Sequence, residues 1–175
     1  LAASREHGLP HQVFTASEFM RLYPAFRLPQ DYVAVLQPDG GFVEAEAGIR
    51  AHLQLAAAAG AGIHTGERVL SIEDAGHCVR VHTERRILEA SRAIVTTGPW
   101  TTSLLPELQL PLQATRQVLL WVRPSQPELF RTGWFPVFMI ESADGIHYGF
   151  PLHGDDLMKV AKHHHQSEVV DPETY

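Results

Sequence analysis

Residues 146–165 read IHYGFPLHGDDLMKVAKHHH. Two runs suited to extended chain, 146–150 and 157–163, flank the turn-forming residues Pro151, Gly154, Asp155 and Asp156, and the pattern predicts a β-hairpin. On its second strand the period of two places Leu157, Lys159, Ala161 and His163 on one face, and Met158, Val160, Lys162 and His164 on the other. Lys159 and His163 would stand ~13 Å apart along the strand, too far to bond one another and suited to opposite ends of one cavity. With Tyr148 on the first strand, an aromatic hydroxyl, an ammonium and imidazoles share one hairpin.

Upstream of the hairpin the chain is rich in strand signals. Residues 112–123, with Val118, Leu119, Leu120, Trp121 and Val122, predict a long central strand closed by Pro124, and a short helix follows near 126–130. Strands over 135–141 and 146–150 are expected to join at Ser142-Ala143-Asp144-Gly145, whose Asp-Gly step favours a tight turn. Nearer the start, Thr15-Ala16-Ser17-Glu18 is a capping box with Phe14 and Phe19 at the positions of a hydrophobic staple, so a short helix begins there and stops before Pro24. A strand over 32–36 leads to a turn at Pro38-Asp39-Gly40-Gly41.

Between these zones lies an α/β pattern. Residues 44–59 predict a helix, with acidic residues in the first turn, Ile49 and Leu53 at helical spacing and Gly60 as the stop, and the alanine run implies close packing against a sheet. Strands are expected over 63–72, 78–82, 87–90 and 93–95, the last buried and ending in Thr96-Thr97-Gly98-Pro99-Trp100 before a helix over 100–105. Such a strand-to-helix turn can aim backbone amides at a cofactor's phosphates, although Gly98 can equally serve backbone geometry alone.

At 175 residues and 45% hydrophobic, the chain can bury one substantial core or two small ones. A formal net charge of -6 without a basic face argues against nucleic acid or an anionic membrane as a partner. No apolar run approaches the roughly 18 residues of a membrane span, and a cytoplasmic location is expected. The single Cys78 excludes an internal disulfide and, within an apolar alternation, reads as a buried structural thiol. The three consecutive histidines 163–165 invite a metal reading, but only two share a strand face and nothing nearby completes a tetrahedral set, so no metal is expected. The terminal residues Leu1 and Asp171-Pro172-Glu173-Thr174-Tyr175, the latter like the start of a helix, read as cut ends.

Taken in order, Gly41-Phe42-Val43, Ile49-Arg50-Ala51, Glu67-Arg68-Val69, Ile94 to Trp100, Pro111-Leu112-Gln113, Arg116-Gln117-Val118, Tyr148-Gly149-Phe150-Pro151, Lys159, His163 and Asp171-Pro172 resemble the flavin-dependent amine oxidases typified by monomeric sarcosine oxidase and N-methyltryptophan oxidase, of the D-amino-acid-oxidase-like group. The resemblance spans nearly the whole chain and implies an α+β fold: part of a substrate domain at 1–43, a segment of an FAD-binding domain at 44–108 and a substrate-binding domain at 109–175. It implies FAD as cofactor, with Val69, Thr97, Gly98, Pro99 and Trp100 beside it, Lys159 assisting oxygen reduction, and His163 and Tyr148 serving the substrate. The implied reaction oxidises a secondary amine such as an N-methyl amino acid to an imine while O2 becomes hydrogen peroxide, and the implied protein acts as a monomer. Lys159 can also be a solvated edge-strand lysine and Val69 a core valine. The family's Gly-rich dinucleotide fingerprint and its flavin-tethering cysteine have no match in this chain, Cys78 lying in the wrong strand. The chain is therefore expected to be the middle of a longer enzyme, inactive by itself and unable to hold FAD tightly. The turn Glu84-Arg85-Arg86, where the family has Gly, is expected to touch nothing catalytic. A non-catalytic α+β binding domain and a flavin dehydrogenase with another electron acceptor are the alternatives.

Overall fold

The computed structural model describes residues 1–154 and 156–174. Two residues named above, Asp155 of the hairpin loop and Tyr175 at the end, lie outside them. In chain order the elements are α1 (Ala2–Glu6), β1 (Gln12–Thr15), α2 (Ala16–Leu22), β2 (Val33–Leu36), α3 (Ala45–Ala58), β3 (Val69–Asp74), β4 (Val79–Thr83), β5 (Ile87–Ala90), α4 (Thr101–Leu104), β6 (Leu119–Val122), β7 (Phe138–Ser142), β8 (Gly145–Gly149) and β9 (Met158–Lys162). Every strand pair is antiparallel. The chain divides into two compact units, Leu1–Glu44 with Gln117–His165, and Ala45–Arg116 with Gln166–Tyr175.

In the first unit, the capping box forms in both directions: the Glu18 amide donates to Thr15 Oγ1 at 3.3 Å, and the Thr15 amide donates to Glu18 Oε2 at 2.8 Å. These bonds start α2, the Phe14 and Phe19 rings lie 6.2 Å apart, and the helix ends at Tyr23, ahead of Pro24. β1 and β2 form a two-stranded sheet, and the strand β1 and helix α1 carry no signal strong enough to be expected from the sequence. The larger sheet has the order β6-β9-β8-β7. Its core is a cluster of Phe19, Phe26, Phe135, Leu152 and Met158, in which the Phe26 and Phe135 rings stack at 4.7 Å and 6°. Gly149 belongs to this packing, because a Cβ there would come within 2.5 Å of the Phe138 ring. The run expected as a long central strand is shorter and lies elsewhere: β6 covers four residues, sits at the sheet edge, and leaves all four exposed. The preceding residues of that run form no named strand among the described residues; there Thr115 bridges Val169, the Arg116 amide donates to Glu168 O at 2.8 Å and the Val170 amide to Ala114 O at 3.1 Å.

In the second unit, β3, β4 and β5 form a meander. Asp74 closes the first turn by accepting from the Gly76 amide at 2.8 Å. α3 ends in a Schellman motif, with Ala61 N–H donating to Ala56 O at 3.0 Å and Gly60 N–H to Ala57 O at 3.0 Å, and Gly60 takes the positive φ of 89° that the motif requires. The expected packing of its alanine run is not observed: no α3 residue is buried, and Leu55 is 69% exposed. Alanine propensity and the terminal motif sustain this helix rather than burial. Two further expectations are corrected. The strand expected over 63–72 begins only at Val69, and the buried strand expected over 93–95 is irregular chain with Ile94 90% exposed. An apolar triplet makes a strand only where a partner offers a ladder, and among the described residues none pairs with it. Cys78 is half-buried and unpaired. At the end of the chain, residues 171–174 form a turn in which the Thr174 amide donates to Asp171 O at 3.2 Å.

Candidate functional site

The residues singled out from the sequence fall in both units. In the first, sheet register decides which side chains share a face. Trp121 stands opposite Lys159, and Leu119 and Tyr148 both stand opposite Ala161. Opposed residues look the same way, so Trp121, Lys159 and Tyr148 occupy one face, while Met158 and Val160 point to the phenylalanine core. Lys159 Nζ lies 5.4 Å from the centre of the Phe150 ring and 5.7 Å from that of Trp121. The Tyr148 ring lies 6.0 Å from Phe150 and 6.1 Å from His163, both edge-on. A continuous run of ring contacts thus links Lys159 through Phe150 and Tyr148 to His163.

The hairpin differs from expectation at its far end. β9 stops at Lys162, so His163 is not a strand residue: its amide still donates to Ile146 O at 2.7 Å, but the chain then turns through left-handed backbone at His164 (φ 53°). His163 stays beside Tyr148 and is exposed, with the His164 ring 3.9 Å away and tilted at 49° to it. Among the described residues no three His, Cys, Asp or Glu side chains are grouped to hold a metal ion.

In the second unit, Val69, Thr97, Gly98, Pro99 and Trp100 line one cavity of about 1080 Å³. Gly98 has φ 54°, a conformation that a side chain would strain, and it opens a 3-10 turn over Gly98–Trp100. Thr101 Oγ1 donates to Gly98 O at 2.8 Å and lies 3.1 Å from Thr97 Oγ1, which fixes this wall. The helix expected to follow is the single turn α4, too short to present a helix N-terminus to an anion.

Three further lining residues carry charge: Glu67, Arg68 and Glu173. Glu67 is nearly enclosed, its side chain 4% exposed, and its carboxylate accepts from Arg86 Nε at 2.9 Å, Arg86 Nη2 at 2.6 Å and Thr83 Oγ1 at 2.7 Å. The Arg86 hydrogen bonds, helped by Thr83, hold its pKa down at about 2. Arg86 Nη2 also lies 2.8 Å from His64 Nδ1. The turn Glu84-Arg85-Arg86 thus supplies, through Arg86, the support of a cavity-lining carboxylate. Arg68 pairs with Glu173, whose segment is tied down where the Val170 amide donates to Ala114 O at 3.1 Å. These charged residues escaped notice because their pairings span 19 and 105 positions of sequence; the only local signal is the Glu67-Arg68 step beside Val69.

The chain is 33% identical over 176 residues to monomeric sarcosine oxidase of Arthrobacter sp. (strain TE1826), covering 99% of this chain and 45% of that protein. It is 31% identical over 163 residues to N-methyl-L-tryptophan oxidase of Yersinia pestis (strain Pestoides F), covering 93% of this chain and 43% of that protein. Among solved structures it is similar to NikD, described as an unusual amino acid oxidase essential for nikkomycin biosynthesis, in its open form, with a TM-score of 0.70, 22% identity, 97% of this chain covered and 44% of that one. The chain thus spans about half the length of the curated relatives it matches. The family model of the FAD dependent oxidoreductases (DAO) matches residues 1–174, and the chain belongs to that family.

Proposed function

We propose that this chain is part of an FAD-dependent oxidase of secondary amines, such as N-methyl amino acids, acting as a monomer. The observation that carries the reading is the cavity of about 1080 Å³ on which Val69, Thr97, Gly98, Pro99 and Trp100 converge, the five positions that the family resemblance implies for the cofactor. Its volume suits a large part of a dinucleotide, and its lining suits an adenine: apolar Val69, Leu70, Pro99, Trp100 and Leu104, with Arg68 as the cationic group. These residues would hold the cofactor, so the second unit acts as a segment of the FAD-binding domain and the first carries the substrate-facing sheet. The names of the sarcosine and N-methyl-L-tryptophan oxidases fit a methylated amine.

FAD, when bound, supplies the acceptor that takes a hydride equivalent from the amine's C–H and passes the electrons to O2 as hydrogen peroxide. The chain's own residues then have distinct tasks. Among the described residues no carboxylate pairs with Lys159, so its charge is available to stabilise an anion developing as oxygen is reduced. Tyr148 and His163, in ring contact, offer a hydroxyl and an imidazole that orient the substrate's carboxylate and amine.

The test is Lys159→Met in an enzyme of the relatives' full length. Flavin reduction by amine is expected to persist while reoxidation by O2 slows by orders of magnitude; unchanged reoxidation would exclude the role of Lys159. An absence of peroxide with any secondary amine, with the full-length protein carrying flavin, would leave a dehydrogenase or a binding domain as the better description.

A further inference from the structure

Lys159 and Lys162 are the only lysines of the chain, and both belong to β9. An offset of three residues puts them on opposite faces of the strand. Lys162 lays its stem over Gly145, where an added Cβ would meet its Cε at 2.9 Å. Lys159 instead faces two aromatic rings at 5.4 and 5.7 Å, within the distance at which a ring face attracts an ammonium. One of these rings, Trp121, is 60% exposed on the edge strand β6. This largely exposed ring thus stands over the cation opposite it.

We infer that Trp121, with Phe150, is a positioning residue that holds the Lys159 ammonium on the substrate-facing side of the sheet without neutralising it. An aspartate or glutamate in place of either ring would also fix the lysine, but it would cancel the charge that an anion is to meet. A ring quadrupole fixes the cation while leaving its full charge. Phe150 is placed for this by the chain itself, since its amide donates to Lys159 O at 2.9 Å, and Trp121 is placed by direct cross-strand opposition. The inference rests on the proposed role of Lys159 in meeting an anion, but the geometry it asserts can be measured without that role.

The two-lysine content makes the measurement direct. Reductive methylation with 13C-formaldehyde labels Lys159, Lys162 and the N-terminal amine while preserving charge, and Lys162→Arg assigns the signals. The Lys159 methyl resonance is expected upfield of that of Lys162 through the ring current. Trp121→Leu is expected to remove most of that displacement and to raise the rate of acetic anhydride labelling at Lys159 relative to Lys162 several-fold. Trp121→Phe is expected to retain much of the displacement, a rescue that a purely structural tryptophan would not show, and it keeps the test open if the leucine variant fails by circular dichroism to fold. Coincident lysine signals in the wild-type chain, or a Lys159 signal unmoved by either variant, would overturn the inference. A ring-shifted Lys159 combined with normal reoxidation in Lys159→Met enzyme would instead overturn the oxygen role and leave the positioning intact.

Discussion

The Glu67 carboxylate accepts hydrogen bonds from Arg86 Nε and Nη2 and from Thr83 Oγ1, and these favour its ionised form. With its folded pKa depressed to about 2, the pairing contributes stability that is complete above the ordinary glutamate value of about 4.3. That contribution is lost as pH falls through the window between the two values, because the unfolded chain then takes up the proton first. Glu67→Gln is expected to lower stability near neutral pH and to flatten its decline between about pH 4.3 and pH 2, measured by denaturant midpoints across that range. A parallel offset with an unchanged slope would mean that another carboxylate dominates acid unfolding. At this scale the sequence was legible where backbone geometry follows from a local turn, as for the positive φ of Gly98, and illegible where a pairing depends on strand register, as for Glu67 with Arg86. His163 is intermediate: its place beside Tyr148 follows from the hairpin, but the left-handed turn at His164 has no glycine to announce it.

Among the elements, α2 depends most clearly on a few named atoms. Its capping box satisfies two amides, and Thr15→Ala should cost about 1 kcal/mol of stability, read from urea unfolding, with Thr15→Ser restoring most of it. No loss on Thr15→Ala would show that the phenylalanine cluster alone specifies this helix. The β7–β8 turn and the antiparallel β8–β9 pair were readable because turn chemistry and two-residue alternation are local. The fates of 93–95 and of β6 were not, since an apolar run does not reveal whether a neighbour will pair with it or on how many sides. The alanine-rich face of α3 teaches the same point, for periodicity names a face but not what covers it.

For the whole molecule, the cavity wall in the second unit contains the side-chain chemistry proposed for the cofactor, and among the described residues its helical turn α4 is too short to bind the pyrophosphate. The chain by itself is therefore expected to purify without stoichiometric flavin absorbance and to bind added FAD weakly, by fluorescence quenching. A yellow, tightly loaded preparation would contradict this. β6 also bears on how the chain behaves in a tube. Its four residues are 42%, 54%, 60% and 39% exposed from Leu119 to Val122, and it occupies a sheet edge, which makes it a template for a neighbouring copy's strand. Light scattering should rise steeply with concentration and fall in Leu120→Lys, a charge on the edge being the usual protection. The edge strand that supplies Trp121 to Lys159 thus also sets the concentration at which stocks turn cloudy.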